Sequence, residues 1–125
     1  MNYKGTIIEE SLNDKSCLAD LKIISTKTEQ VKESHKTPWL KQWTLHVVEI
    51  DENKAEFIAN QLSYFLEKEH AWYADFKNEQ FHYIIFRGKI FNVHRNISSE
   101  YDNVKRYGVG LGIPEYQLVF SPDIQ

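Results

Sequence analysis

The sequence predicts an α+β fold: an antiparallel sheet with two helices on one face, organised as a ferredoxin-like (split βαβ) core with an N-terminal strand pair added to it. Three features carry that expectation. The stretch WYADFKNEQFHYIIFRGKIFNVHR, residues 72–95, reads as three consecutive strands joined by two tight turns. Upstream of it, Ala55, Ile58, Leu62 and Phe65 recur at helical spacing and form one apolar stripe. From Trp43 onward the order is strand, helix, two or three strands, helix, strand, which is the order of a split βαβ unit.

Taken from the N-terminus, YKGTIIEE (residues 3–10) is β-branched and apolar at its centre, as a strand requires. SLNDK (11–15) has turn chemistry, and residues 16–20 fit a single helical turn. Residues 21–31 are rich in Ile and Thr with weak alternation, which suits an edge strand. In KESHKTPWLKQW, Pro38 forces Thr37 away from helix, so this is a loop leading into Trp43. The strand WTLHVVEI sends Trp43, Leu45 and Val47 to one face and Thr44, His46, Val48 and Ile50 to the other. Asp51 then caps a helix over about 52–68.

Arg87-Gly88 is the chemistry of a two-residue hairpin turn and pairs Phe86 with Lys89, Ile84 with Phe91 and His82 with Val93. Taking Asn78-Glu79 as the second turn sets Phe76 against Phe81 and Asp75 against His82. Alternation then gives one core face with Trp72, Ala74, Phe76, Tyr83 and Ile85. The other face is mixed: Tyr73, Asp75, His82, Ile84, Phe86, Phe91 and Val93. Ser98 or Ser99 caps a second helix running to Tyr107, buried through Tyr101 and Val104, with Gly108 as its stop. The segment GVGLG follows a helix instead of opening one, so it is a bent connection and not a dinucleotide loop. A short strand YQLVF and a tail SPDIQ complete a single domain of residues 1–125, with 1–42 as the strand extension and 43–120 as the core.

Composition narrows the function. A chain of 125 residues can bury a proper core, and a net charge of −3 argues against a dedicated nucleic-acid binder. Cys17 is the single cysteine, so no internal disulfide can form. MNYKGTIIEE has neither the cationic start nor the apolar run of a signal peptide, and no window reaches the length of a membrane span. The expectation is a soluble cytoplasmic domain.

The mixed face holds the candidate chemistry. An Asp75 carboxylate across from His82 can fix the imidazole tautomer and support acid–base catalysis, with Tyr73 as a hydrogen-bond donor and His46 and Thr44 joining from a neighbouring strand. A structural ion pair on a sheet face explains the same residues and is the commoner case. Tyr73, Thr44, Phe86 and Phe91 are the candidate ligand contacts. If the face is open, its Ile84, Phe86, Phe91 and Val93 patch also suits a homodimer. The histidines at 35, 46, 70, 82 and 94 have no ligand spacing, so no metal is expected, and no motif calls for a cofactor. Residues 22–43 interleave five lysines with Trp39 and Trp43, a weaker case for single-stranded RNA in an acidic chain.

In KTPWLKQWTLHVVEI, HAWYADFKN and LGIPEYQL the chain resembles a small prokaryotic family of single-domain proteins with no assigned activity. The resemblance spans residues 5–118 or so, implies a short stand-alone domain, and carries no activity, cofactor or catalytic residue. The sequence therefore predicts a small binding or regulatory domain using the mixed face for a small ligand or a partner subunit, with His/Asp enzyme chemistry on that face as the alternative.

Overall fold

Six antiparallel-paired strands build one sheet in the order β2-β3-β1-β4-β5-β6. They are β1 (Tyr3–Ile8), β2 (Lys22–Gln30), β3 (Gln42–Ile50), β4 (Tyr73–Lys77), β5 (Phe81–Phe86) and β6 (Lys89–His94). Two helices, α1 (Ala55–Phe65) and α2 (Ser98–Gly110), accompany them, and a 3-10 turn at Glu115–Gln117 follows α2. The computed structural model describes residues 1–33 and 37–118.

Strand β1 is not an extension of a separate core. It pairs with β3 on one side and β4 on the other, so the N-terminus supplies the middle of the sheet. Being antiparallel to both, β1 leaves β3 and β4 parallel to each other, and α1 is the crossover between them. Strand β2 takes the edge beyond β3, as its composition suggested, and all its residues are exposed. A register shift between Ile23 and Ser25 irregularises that edge, a device that discourages strand addition.

The helices lie on opposite faces, which corrects the two-on-one-face expectation. Ile58, Ala59 and Leu62 of α1 pack with Ile7, Val48, Ile50, Phe76 and Ile85. Tyr101 and Val104 of α2 pack instead with Ile84, Phe86 and Val93, whose side chains point the other way along the same strands. With this strand order and a helix on each side, the ferredoxin-like arrangement is not what forms. Nor do residues 116–118 make a closing strand: they belong to or follow the 3-10 turn, while Val119, Phe120 and the tail lie outside the described residues.

Local chemistry explains the element ends. Asp51 caps as expected, its Oδ1 accepting from Asn53 N at 3.1 Å, but the first turn is 3-10 and the helix proper begins at Ala55. At the other end, Ser63 Oγ donates to Phe86 O at 2.7 Å and accepts from Gly88 N at 2.9 Å. Arg87 Nη1 donates to the carbonyls of Tyr64 and Leu66 at 2.8 and 2.9 Å, so the β5–β6 turn caps the C-terminus of α1. Helix α2 opens without a serine cap; Glu100 Oε1 instead accepts from His94 N at 2.8 Å. It also runs past Gly108, which serves close packing: a Cβ there would sit 2.7 Å from Leu118 Cδ1.

Candidate ligand-binding site

The register of the central hairpins decides which polar groups meet. Strands β5 and β6 pair His82 with Val93, Ile84 with Phe91 and Phe86 with Lys89, with Gly88 at φ 75° completing the expected turn. Strands β4 and β5 pair Asp75 with Ile84 and Lys77 with His82, two residues displaced from the expected register. The displacement comes from Asn78, whose Oδ1 accepts from Gln80 N at 2.9 Å and Phe81 N at 2.8 Å and whose N donates to Phe81 O at 3.0 Å, so the tip moves one residue on, to Glu79-Gln80. A slip of two preserves faces. Asp75 and His82 therefore still share one side of the sheet, as diagonal neighbours, with His82 Nε2 2.6 Å from Asp75 Oδ2.

That contact is the outer end of a buried relay. Tyr101 OH stands 3.1 Å from His82 Nδ1, and the Tyr101 hydroxyl is also hydrogen-bonded to Arg95. A guanidinium has only donors, so Tyr101 oxygen accepts from Arg95. A carboxylate only accepts, so His82 Nε2–H donates to Asp75, while Nδ1 faces the Tyr101 hydroxyl. His82 is 1% exposed and Arg95 4%, whereas a third of the Asp75 side chain is open to solvent. Burial raises the Tyr101 pKa against the opposing pull of Arg95. Arg95 Nη1 also donates to Asn78 O at 2.8 Å, tying the relay to the β4–β5 turn.

Asp75 opens into a groove of about 750 Å³ on the α2 side of the sheet, where Thr6 and Ile8 of β1, Leu45 of β3 and Tyr73 of β4 form the floor. Strand β1 ends at Ile8, and the sheet parts beyond it. Trp43 and Trp72 meet across that gap with ring centroids 6.0 Å apart. Trp39 stands edge-on to Trp72 at 6.4 Å and stacks on His70 at 3.5 Å with an interplanar angle of 11°. The opposite wall is the segment 111–117, held down where Tyr73 OH donates to Gln117 O at 2.5 Å. Burial, with the Asp75 charge adding to it, pushes the Tyr73 hydroxyl well above the ordinary tyrosine range. Three other surface concavities are smaller, at about 340, 430 and 500 Å³.

The sequence-derived candidates divide on this geometry. Tyr73 and Asp75 line the groove, and His82 supports Asp75 from beneath. His46 and Thr44 do not join them, because both point to the α1 face and β1 separates their strand from β4. There His46 contacts Thr26 Oγ1 at 2.8 Å and Glu9 Oε1 at 3.1 Å, while Thr44 is held by Glu10. Phe86 and Phe91 are not ligand contacts either. Tyr107 of α2 packs on both, at 5.0 and 5.6 Å, so the patch offered for a second subunit is covered by the chain's own helix. Trp43 lies in the groove with its Nε1 donated to Thr37 Oγ1 at 3.0 Å, away from the role of an open stacking platform for RNA.

Trp39, His70, Trp72 and segment 111–117 were not foreseen as parts of this site. The available signal was the tryptophans themselves: the chain has three, and all three line the groove. Among the described residues no helix is long and apolar enough to cross a membrane, and no group of His, Cys, Asp and Glu is arranged to hold a metal. Compared with protein-family models, with curated proteins and with solved structures, the chain matches none.

Proposed function

We propose that the protein is a small-molecule-binding domain whose ligand occupies the tryptophan-lined groove above Asp75. The observation that carries this reading is the lining itself: aromatic and aliphatic side chains line an open groove of about 750 Å³ and converge on one carboxylate. Ligand sites have this construction, an apolar enclosure with few polar groups that fix orientation. The relay beneath Asp75 supports it, since a carboxylate held by a buried imidazole is preorganised.

An enzyme reading of the same site has one specific observation in its favour, the 2.6 Å Asp75–His82 contact. In that reading the acid–base group is Asp75, because His82 is too buried to reach a substrate, and His82 positions it. Binding is the better supported of the two, since it needs no second reacting group in the groove.

The test is a thermal-shift screen of a chemically diverse library, followed on its hits by tryptophan emission. A compound that raises the melting temperature and changes the emission supports the reading. A screen in which stabilising compounds leave all tryptophan emission unchanged contradicts it.

A further inference from the structure

The proposed ligand site has a definite electrostatic sign. Among the described residues that line it, Asp75 is the one carboxylate and there is no lysine or arginine. His82 occupies Asp75 Oδ2, and Oδ1 takes no hydrogen bond from another described residue. At the rim, any positive charge on His70 is answered by Glu67, whose Oε1 lies 2.5 Å from His70 Nδ1. The positive end of the relay, Arg95, is withdrawn beneath α2 and committed to Tyr101 and the Asn78 carbonyl.

The aromatic side chains act in the same direction. The faces of tryptophan and tyrosine rings carry negative potential, and an aromatic enclosure with one carboxylate is how proteins recognise organic cations. A compact, strongly hydrated cation would gain little from the apolar floor of Ile8 and Leu45. An organic ammonium, with its charge spread over carbon-bearing substituents, satisfies both the floor and the carboxylate.

On the reading that the groove is a ligand site, we infer that its ligand class is an organic cation, an apolar or aromatic body bearing an alkylated ammonium group that sits against Asp75. The relay then has a specific role: with His82 donating to Oδ2, the remaining oxygen of Asp75 is directed to the ligand.

Three probes of matched size separate the possibilities: phenyltrimethylammonium, its neutral carbon counterpart tert-butylbenzene, and the anion benzenesulfonate. Binding is read from tryptophan emission. The cation is expected to bind at least about tenfold more tightly than the neutral probe, and the anion more weakly than either. Asp75→Asn, checked for a cooperative melt, is expected to bring the cation down to the neutral probe. Thr6→Lys is a second variant: Thr6 is an exposed residue paired with Asp75 across β1 and β4, so an ammonium placed there competes for the carboxylate. It is expected to remove the cation preference, so that cation and neutral probe bind alike. Equal binding of cation and neutral probe, or a preference that survives both variants, overturns the charge assignment while leaving the groove as a ligand site. Failure of all three probes to bind overturns both.

Discussion

His82 donates to Asp75 across a diagonal of the β4–β5 pair, Nε2 to Oδ2 at 2.6 Å, and so links a solvent-reaching carboxylate to a tyrosine on the helix beneath the sheet. With the Tyr101 contact, it ties α2 to the β4–β5 hairpin. It also holds in a fixed orientation the one carboxylate among the described residues that line the groove. Removing the imidazole should therefore affect folding as well as the site.

His82→Ala should lower stability by about 2–4 kcal/mol, the sum of a small buried cavity and a stranded Tyr101 hydroxyl. Urea unfolding measures it. Combined with Tyr101→Phe, the total loss should be smaller than the two single losses added, because each removes the same bond.

Gly5 and Gly110 should respond oppositely to alanine. At Gly5, where β1 runs between β3 and β4, a Cβ would lie 2.3 Å from the Asp75 carbonyl and 2.8 Å from Phe76 Cβ. Backbone must move, so Gly5→Ala should cost more than about 2 kcal/mol, as other overpacked sites do. At Gly110, the last residue of α2, nothing lies within 4 Å of the added methyl, and Gly110→Ala should be neutral or stabilise by up to about 1 kcal/mol. Thermal melts of the two variants decide it.

Ser63→Ala should open the joint between α1 and the β5–β6 turn. The hydroxyl, in a residue 6% exposed, is both donor to Phe86 O and acceptor from Gly88 N. Its loss takes a hydrogen bond from each of two backbone groups, leaving Gly88 N only the longer bond to the residue-63 carbonyl at 3.4 Å, and should cost about 1–3 kcal/mol by urea unfolding.

Acid should release a contact on the α1 face. The hydrogen bond from His46 lowers the Glu9 pKa from its ordinary 4.5, against burial and with help from Lys15. A lowered carboxyl pKa stabilises the fold fully above the unfolded value and is lost as pH falls through the folded one. The melting-temperature gap between the native chain and Glu9→Gln should thus hold steady above pH 4.5 and close below it. A gap that widens on acidification would contradict the assignment.

Much of this architecture is legible in the sequence where a local signal settles a local geometry. Arg87-Gly88 fixes the β5–β6 register because Gly88 can adopt φ 75°, and the stripe of Ala55, Ile58 and Leu62 identifies α1. The β4–β5 register is displaced because the Asn78 side chain accepts from Gln80 N and Phe81 N while its backbone N donates to Phe81 O, which moves the turn onto Glu79-Gln80. The pair Asp75–His82 survives the error since a shift of two keeps the face. What is not legible depends on tertiary choice. Nothing local says that Tyr101 and Val104 seek Ile84 and Phe86 rather than the equally apolar Ile85 side, which puts α2 on the opposite face, burying Phe86 and partly covering Phe91. Nothing local says that β1 enters between β3 and β4. That insertion separates His46 and Thr44 from Asp75, and its early end at Ile8 leaves the gap that the tryptophans fill.

The groove can be tested most directly by two-dimensional ¹⁵N–¹H NMR of the protein titrated with phenyltrimethylammonium. The three tryptophans each give an isolated indole Nε1–H signal, and all three line the site. Saturable shifts of those indole signals and of the Asp75 amide, with β2 unmoved, are the predicted result. Indole signals that stay fixed, or shifts centred on the exposed Phe57 and Tyr64 of α1, would contradict it.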